Sequence, residues 1–305
     1  MKGLFALVMR GRTQAIVGTV VTAVMALLIT PVSVVSAGLV VLATLRNGAR
    51  EGALVVLVSI LALALLGGLA FQLPLELAGL GLMLWLPAWG LATVLGRSGS
   101  LARTLETAVL AGFVLVGMQY LLLADPVAFW GGLLKVYMQQ ALDPSVVSAD
   151  QQKALVAVIA AWMPGGVAAS WTLSLTLALL FGRWGQASLD RPGAFGLEFR
   201  ALRTSRIWLF VLPVLLGGSL LGGGANAAGQ LYLVGTVLYL LQGVSVGHGL
   251  VAATGASKGW LFGMYFLMIV GMPHSVTAIA AAGYADGWLD FRAKVRGTGR
   301  PPGSE

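Results

Sequence analysis

Cysteine is absent from the 305 residues, histidine occurs twice, and charged side chains make up only 10% of the chain. Without thiols there is no disulfide and no thiolate metal site. An ordinary soluble domain carries about 25% charged residues, so too little charge remains here to coat a soluble surface. The signatures of common enzymes are missing as well: His-Glu-x-x-His, a Walker loop, Gly-x-Gly-x-x-Gly opening a helix after a strand, and a cysteine nucleophile. Ser245 or Ser275 with a histidine could imitate a serine hydrolase, but nothing in the sequence orients such a pair. The expectation is therefore no catalytic residue, no metal and no cofactor, with any primary energy source supplied by a partner.

What is abundant is apolar sequence. Hydrophobic residues make up 58%, and residues 154–182, 207–257 and 259–285 contain no Asp, Glu, Lys or Arg. A span of about 20 apolar residues crosses a bilayer, and each of these runs is longer. Apolar stretches cover 15–45, 52–71, 77–96, 105–124, 154–182, 207–222, 227–253 and 259–285. They are continuous rather than alternating, which predicts helices and not a barrel. The expected fold is all-α: one integral membrane domain over residues 1–305, a polytopic helical bundle of about eight spans (about seven to nine), several broken at Pro or Gly.

Basic residues set the expected orientation. The net charge is +8, and the arginines fall in turns between apolar runs. Arg46 and Arg50, Arg97 and Arg103, and the five arginines from 183 to 206 are separated by pairs of stretches, which puts all three clusters on the cytoplasmic side. No basic stripe alternates with stacking aromatics, so nucleic acid is not an expected partner; the lipid bilayer is. The first stretch is either one long tilted helix or two short segments broken at Thr30-Pro31, and Lys2, Arg10 and Arg12 join that side if it crosses an even number of times. Arg292, Lys294, Arg296 and Arg300 join it if the last stretch doubles back at Met272-Pro273. Residues 15–29 before Val35-Ser36-Ala37 also resemble a secretory signal, but the leading segment is long and apolar sequence resumes at once.

Two segments between spans carry structure of their own. In the extracytoplasmic loop 125–153, Val127, Trp130, Leu134, Tyr137 and Ala141 fall at helical spacing, predicting an amphipathic surface helix that acts as a packed cap or a lid. The cytoplasmic loop 183–206 is arginine-rich; after Arg191-Pro192-Gly193 it reads as a turn and a short amphipathic helix, with Phe195 and Phe199 four apart. Residues 290–305 form the C-terminal tail.

Polar side chains inside a bilayer are costly and each needs a reason. Gln242, Ser245 and His248 recur every three residues and form a slanting stripe, while Gly243 and Gly247 let a second helix approach. Interhelical hydrogen bonding and solute binding both fit that pattern. His274 follows Pro273 at a break, and broken helices expose backbone groups that hold ions or solutes; Met163-Pro164-Gly165-Gly166 is another such break. Gln242, Ser245, His248 and His274 are the candidate substrate contacts. Asp286 and Asp290 are four apart and need a cation, for which an arginine of the 191–206 loop is available. Glu198, Arg200, Arg203, Asp286, Asp290 and Arg292 are thus the candidate ion-pair or partner residues.

Several of these patterns occur together: Met9-Arg10-Gly11-Arg12-Thr13-Gln14-Ala15, Asp125-Pro126 with Trp130 and Leu133, and Pro192-Gly193 with Phe195, Glu198, Phe199, Arg200, Leu202 and Arg203. Leu241-Gln242-Gly243 with His248 follows, then Gly283 with Asp286, Trp288, Asp290, Phe291 and Arg292. In order and spacing the chain resembles, over its full length, the YybS-like family of bacterial multi-span membrane proteins, whose function is unknown. The resemblance implies a bacterial cytoplasmic (inner) membrane protein, often encoded among ribosomal-protein genes. A more distant likeness of architecture is to the substrate-binding membrane subunits of energy-coupling-factor transporters. Those usually have fewer helices, and the first span here has no clear Ala-x-x-x-Ala docking pattern. The functional expectation is a subunit that binds or transports a small solute beside an energising or coupling partner. The alternative is a non-transporting scaffold or regulator that recruits a cytoplasmic partner, favoured if the Gln242–His248 stripe is fully buried against another helix with no cavity.

Overall fold

A computed structural model describes residues 2–141 and 148–298; parts of the 125–153 loop and of the 290–305 tail, Arg300 included, lie outside the described residues. The described residues form fourteen helices and no strand: α1 (Lys2–Val8), α2 (Arg12–Ala26), α3 (Val32–Asn47), α4 (Ala49–Leu66), α5 (Pro74–Ser98), α6 (Leu101–Leu122), α7 (Pro126–Ala141), α8 (Ala149–Asp190), α9 (Ala194–Arg200), α10 (Trp208–Leu221), α11 (Ala227–Thr254), α12 (Gly259–Val270), α13 (His274–Leu289) and α14 (Phe291–Thr298). Five helices are long and apolar enough to cross a membrane: Ala49–Phe71, in which a π turn extends α4, then α5, α6, α8 and α11. Helices α2, α3, α10 and α12 are apolar but have only 12 to 16 residues. At about 1.5 Å per residue they span roughly 18–24 Å, short of a hydrocarbon core of about 30 Å.

The chain divides into two compact units, 1–108 with 173–202, and 109–172 with 203–305, the boundaries falling within α6, within α8 and between α9 and α10. In the first unit the 15–45 stretch is two helices, α2 and α3, separated at 27–31. They fold into a hairpin in which Ser36 Oγ donates to the Thr19 carbonyl at 2.7 Å and Trp85 Nε1 donates to Ser36 Oγ at 3.0 Å. All three residues are fully buried, and the Ser36 hydroxyl and the Trp85 indole N–H each have a partner there. Residues 36–44 of α3 are buried on every side, and α8 reaches them through glycines. A Cβ on Gly182 would lie 2.6 Å from Val41 Cβ and 2.7 Å from the Gly38 carbonyl.

The turn from α3 to α4 is made by Gly48 at φ 91°, a left-handed conformation that β-carbons resist. It aligns the helix ends that bear charge. Arg12 grips Glu51 through two hydrogen bonds of 2.7 and 2.9 Å, Arg46 pairs with Asp190 at 3.1 Å, and Arg183 with Glu198 at 2.8 Å. Trp89 Nε1 donates to the Ala49 carbonyl at 2.8 Å, so the α5 end bearing Arg97 lies at the same end of the unit. The turns at 27–31 and 67–73 are at the opposite end and carry no charge.

In the second unit α7 is the amphipathic helix read from sequence, with one change of face. Val127, Trp130, Leu134 and Met138 turn inward, whereas Tyr137 is exposed. From Leu134 the next inward position is four residues on, not three, because the helix turns every 3.6 residues and the packed stripe drifts.

Candidate functional site

Residues 237–246 of α11 are buried without interruption, an unusual length for a helix that also carries Gln242 and Ser245. The burial comes from α10, α14 and above all α13, which packs against α11 through paired glycines. A Cβ on Gly243 would collide with the Ile279 carbonyl, and one on Gly283 with the Tyr239 carbonyl and the Gly243 amide. Small residues at such positions let two helix backbones touch. The predicted Gly243 face is thus a backbone contact, and side chains beside it lose access to solvent.

Gln242 uses both ends of its amide. Its Nε2 donates to the Gly283 carbonyl at 2.9 Å, and its Oε1 accepts from the Thr204 amide at 3.0 Å and the Thr204 hydroxyl at 2.9 Å. The residue therefore ties α11 both to α13 and to the strand of chain entering α10. Ser245, fully buried, accepts from Arg292 Nη1 at 3.3 Å.

Arg292 is itself buried. Its Nη2 lies 2.7 Å from Asp286 Oδ2, with 5% and 0% of the two side chains exposed. Asp286 Oδ1 also accepts the Phe291 amide at 3.1 Å. Four residues on, Asp290 closes α13 in the left-handed conformation (φ 47°, ψ 61°), one that aspartate tolerates better than most residues. Its Oδ1 accepts the Ala293 amide at 3.0 Å, capping α14, and it pairs with Arg203. The hydrogen bond from Arg203 holds the exposed Asp290 carboxyl below the usual aspartate range, aided by the Ala293 amide and opposed by desolvation. The two acids read from sequence as needing a cation each have one, but only Asp290 takes it from the 191–206 loop; the partner of Asp286 is Arg292.

The remaining candidates do not converge. His248 Nε2 sits 2.8 Å from the Tyr265 hydroxyl of α12, the rings edge to face. His274 is exposed at the start of α13. Glu198 and Arg200 belong to the first unit, Glu198 paired with Arg183 and Arg200 Nε donating to the Gly196 carbonyl of its own helix at 2.8 Å. The hollows among the described residues of the second unit include a groove and a pocket. A groove of about 700 Å³ is bounded by Trp260, Gly263 and Met264 of α12 and Ser275, Ala278 and Ile279 of α13. A pocket of about 170 Å³ is lined by Leu212, Leu216, Tyr232, Tyr239, Ala280 and Tyr284, among others. Neither is lined by Gln242, Ser245, His248 or His274.

The break at Pro164 is also occupied from within the protein. Gln230, fully buried on α11, accepts the Gly165 amide at 2.6 Å and donates to the Ala161 carbonyl at 2.7 Å. Those two groups are the donor and acceptor of one helical turn, so the side-chain amide inserts into the ladder of α8 beside its proline. A Cβ on Gly165 would lie 2.7 Å from Gln230 Cα, so only glycine admits this approach. From α6, Gln119 Nε2 donates to the Pro164 carbonyl at 3.0 Å while its Oε1 accepts from Trp130 Nε1 of α7 at 2.9 Å. The sequence marks the proline as a break but not Gln230, whose only signal is an amide in an uncharged run.

No family model matches the chain, and no curated protein or solved structure matches it.

Proposed function

We propose that this protein is a multi-pass scaffold of the bacterial cytoplasmic membrane, crossing about eight times with the basic end of its first unit inside. It recruits a cytoplasmic partner through the 191–206 segment and the chain around α14. The observation that carries this reading is the state of Gln242 and Ser245. Both are buried and satisfied by Gly283, Thr204 and Arg292, so the stripe that would have faced a solute fastens α11, α13 and α14 together. A rigid, ion-paired platform suits holding a partner better than alternating access. The likeness to the YybS-like family supports the membrane setting without adding an activity.

The test is native purification of the tagged chain in mild detergent, with mass spectrometry of co-eluting proteins. Arg200→Glu with Arg206→Glu, two charges outside the Arg203–Asp290 pair, is expected to release a protein that the wild type retains. If every co-purifying protein is unchanged, the scaffold reading fails.

A second reading rests on a different observation, the apolar groove beside the α12–α13 break. It is a solute-handling subunit driven by an energising partner, since the chain has no ATP-binding loop. The apolar lining directs that reading toward a hydrophobic or amphiphilic compound rather than a polar metabolite. A small molecule retained in the same purification together with an ATPase would favour it over the scaffold.

A further inference from the structure

Helix α12 has no buried residue, although eleven of its twelve positions are apolar or glycine. Trp260, Phe262, Phe266, Leu267, Ile269 and Val270 are all exposed, over about half of the helix circumference, while Leu261, Met264 and Met268 on the other side are half-buried. A helix apolar all round is stable only where its surroundings are apolar. Its twelve residues span roughly 18 Å, about the depth of one leaflet of a hydrocarbon core of about 30 Å. Its attachments include the His248–Tyr265 hydrogen bond, Met264 Sδ seated 2.8 Å from where a Gly247 Cβ would be, and Ser275 Oγ of α13 donating to the Met268 carbonyl at 3.5 Å. Between α12 and α13 this leaves the groove of about 700 Å³.

Three features of the groove select an occupant. Its walls are apolar, and its polar lining side chains are hydroxyls, Ser257 by the start of α12 and Ser275 by the start of α13. Gly263 opens onto it with nothing within 4 Å of the position a Cβ would take. At the Ser257 end stands Lys258, exposed and outside every ion pair among the described residues, with Trp260 two residues on. A lysine and a tryptophan at the head of an apolar helix are the pairing found at the headgroup level of a bilayer.

We propose that the α12–α13 groove holds an acyl chain of an anionic phospholipid whose headgroup rests at Lys258. The charge complement is what separates this occupant from bulk lipid: a tail alone would fill the groove from any lipid, whereas Lys258 discriminates by headgroup charge. The inference rests on the membrane placement of the chain and not on either reading of its function.

The experiment uses the full chain in mild detergent, titrated with phosphatidylglycerol or phosphatidylcholine of matched tails and followed by native mass spectrometry. Wild type is expected to retain one phosphatidylglycerol about fivefold better than phosphatidylcholine, the ratio that about 1 kcal/mol for one basic residue at a charged surface gives. Gly263→Trp, which grows into open space, is expected to lose both lipids with its melting temperature unchanged. Lys258→Glu is expected to abolish the preference and keep the tail. As a measurement independent of folding in the variants, phosphatidylglycerol with a diazirine in its tail should crosslink wild-type peptides within 257–279. Equal retention of the two lipids, undiminished binding to Gly263→Trp, or crosslinks elsewhere would each overturn the proposal. So would a wild-type dimer that Gly263→Trp converts to monomer, which would give the groove to a second copy of the chain.

Discussion

The two units hold their helix ends with the same chemistry in opposite surroundings. In the first, Arg12–Glu51 and Arg46–Asp190 are open pairs, each partner about one-third exposed or more. In the second, Asp286–Arg292 is sealed under α11 with Ser245 as a further partner. An open pair gains little because water already solvates each charge and two long side chains must be ordered. A sealed pair has surrendered that solvation, so its members depend on each other. The first set fits orientation by charge at a membrane face. The second fixes where α14 turns back against α11.

The largest expected effect follows from that dependence. Asp286→Ala leaves Arg292 buried without its carboxylate and should cost about 3–5 kcal/mol, visible as loss of folded protein in a thermal melt in detergent. Asp286→Leu with Arg292→Met should recover most of the loss, because no buried charge remains. If Asp286→Ala melts like wild type, the contrast between the units is wrong. Next is Gly243→Ala. Its methyl meets the Ile279 backbone, which cannot rotate away, so α11 and α13 must part; a cost of about 1–3 kcal/mol is expected from overpacking. Gly263→Ala, facing open groove, is the matched control and should be near neutral.

A smaller loss tests whether the Pro164 break belongs with the sealed set. Gln230→Leu removes the amide joining Gly165 and Ala161, and buried groups left unmet cost about 1–3 kcal/mol. Straightening of α8 could restore its own bond at that turn and reduce the loss. Thermal melts of Gln230→Leu with and without Gly165→Ala separate the two: additive losses mean that the kink persists, and sub-additive losses mean that the ladder has closed.

What could be read from sequence was whatever depends on composition and local spacing. Helices rather than strands, the breaks at Pro31 and Pro273, and the α7 segment all follow from uncharged runs and punctuation. The destination of each polar side chain did not. Gln242 looks the same in sequence whether it faces a cavity or the Gly283 carbonyl, and only the backbone contact of Gly243 with Ile279 decides between them. Gln230 was invisible because its role depends on a glycine 65 residues earlier in the chain. Asp286 was assigned to a distant arginine by its spacing from Asp290; in fact the αL turn at Asp290 swings Arg292 back beneath it. Long-range pairing is set by how helices cross, which periodicity along one helix does not encode.

The smallest effect sharpens the comparison, because Arg203–Asp290 is an open pair at the border of the sealed cluster. Its side chains are about half and one-third exposed, so Arg203→Ala should change stability by about 1 kcal/mol or less, as should Arg46→Ala in the first unit. The Arg203–Asp290 pair is also open to a test by pH. The carboxyl of Asp290 titrates below an unfolded aspartate, whose pKa is about 3.9. The unfolded chain therefore binds a proton first as pH falls. The contribution of the pair is complete above about pH 5, fades as pH drops through the lowered folded value, and is absent once both states are protonated. The difference in melting temperature between wild type and Arg203→Ala should accordingly be constant from about pH 6 to 8 and close below about pH 4. Salt should shrink it at neutral pH, as solvent-exposed charges are screened within about 8–10 Å at physiological ionic strength. A difference that survives both acid and salt would mean that Arg203 acts through packing against the sealed cluster, and the line between open and sealed pairs would have to be redrawn to include it.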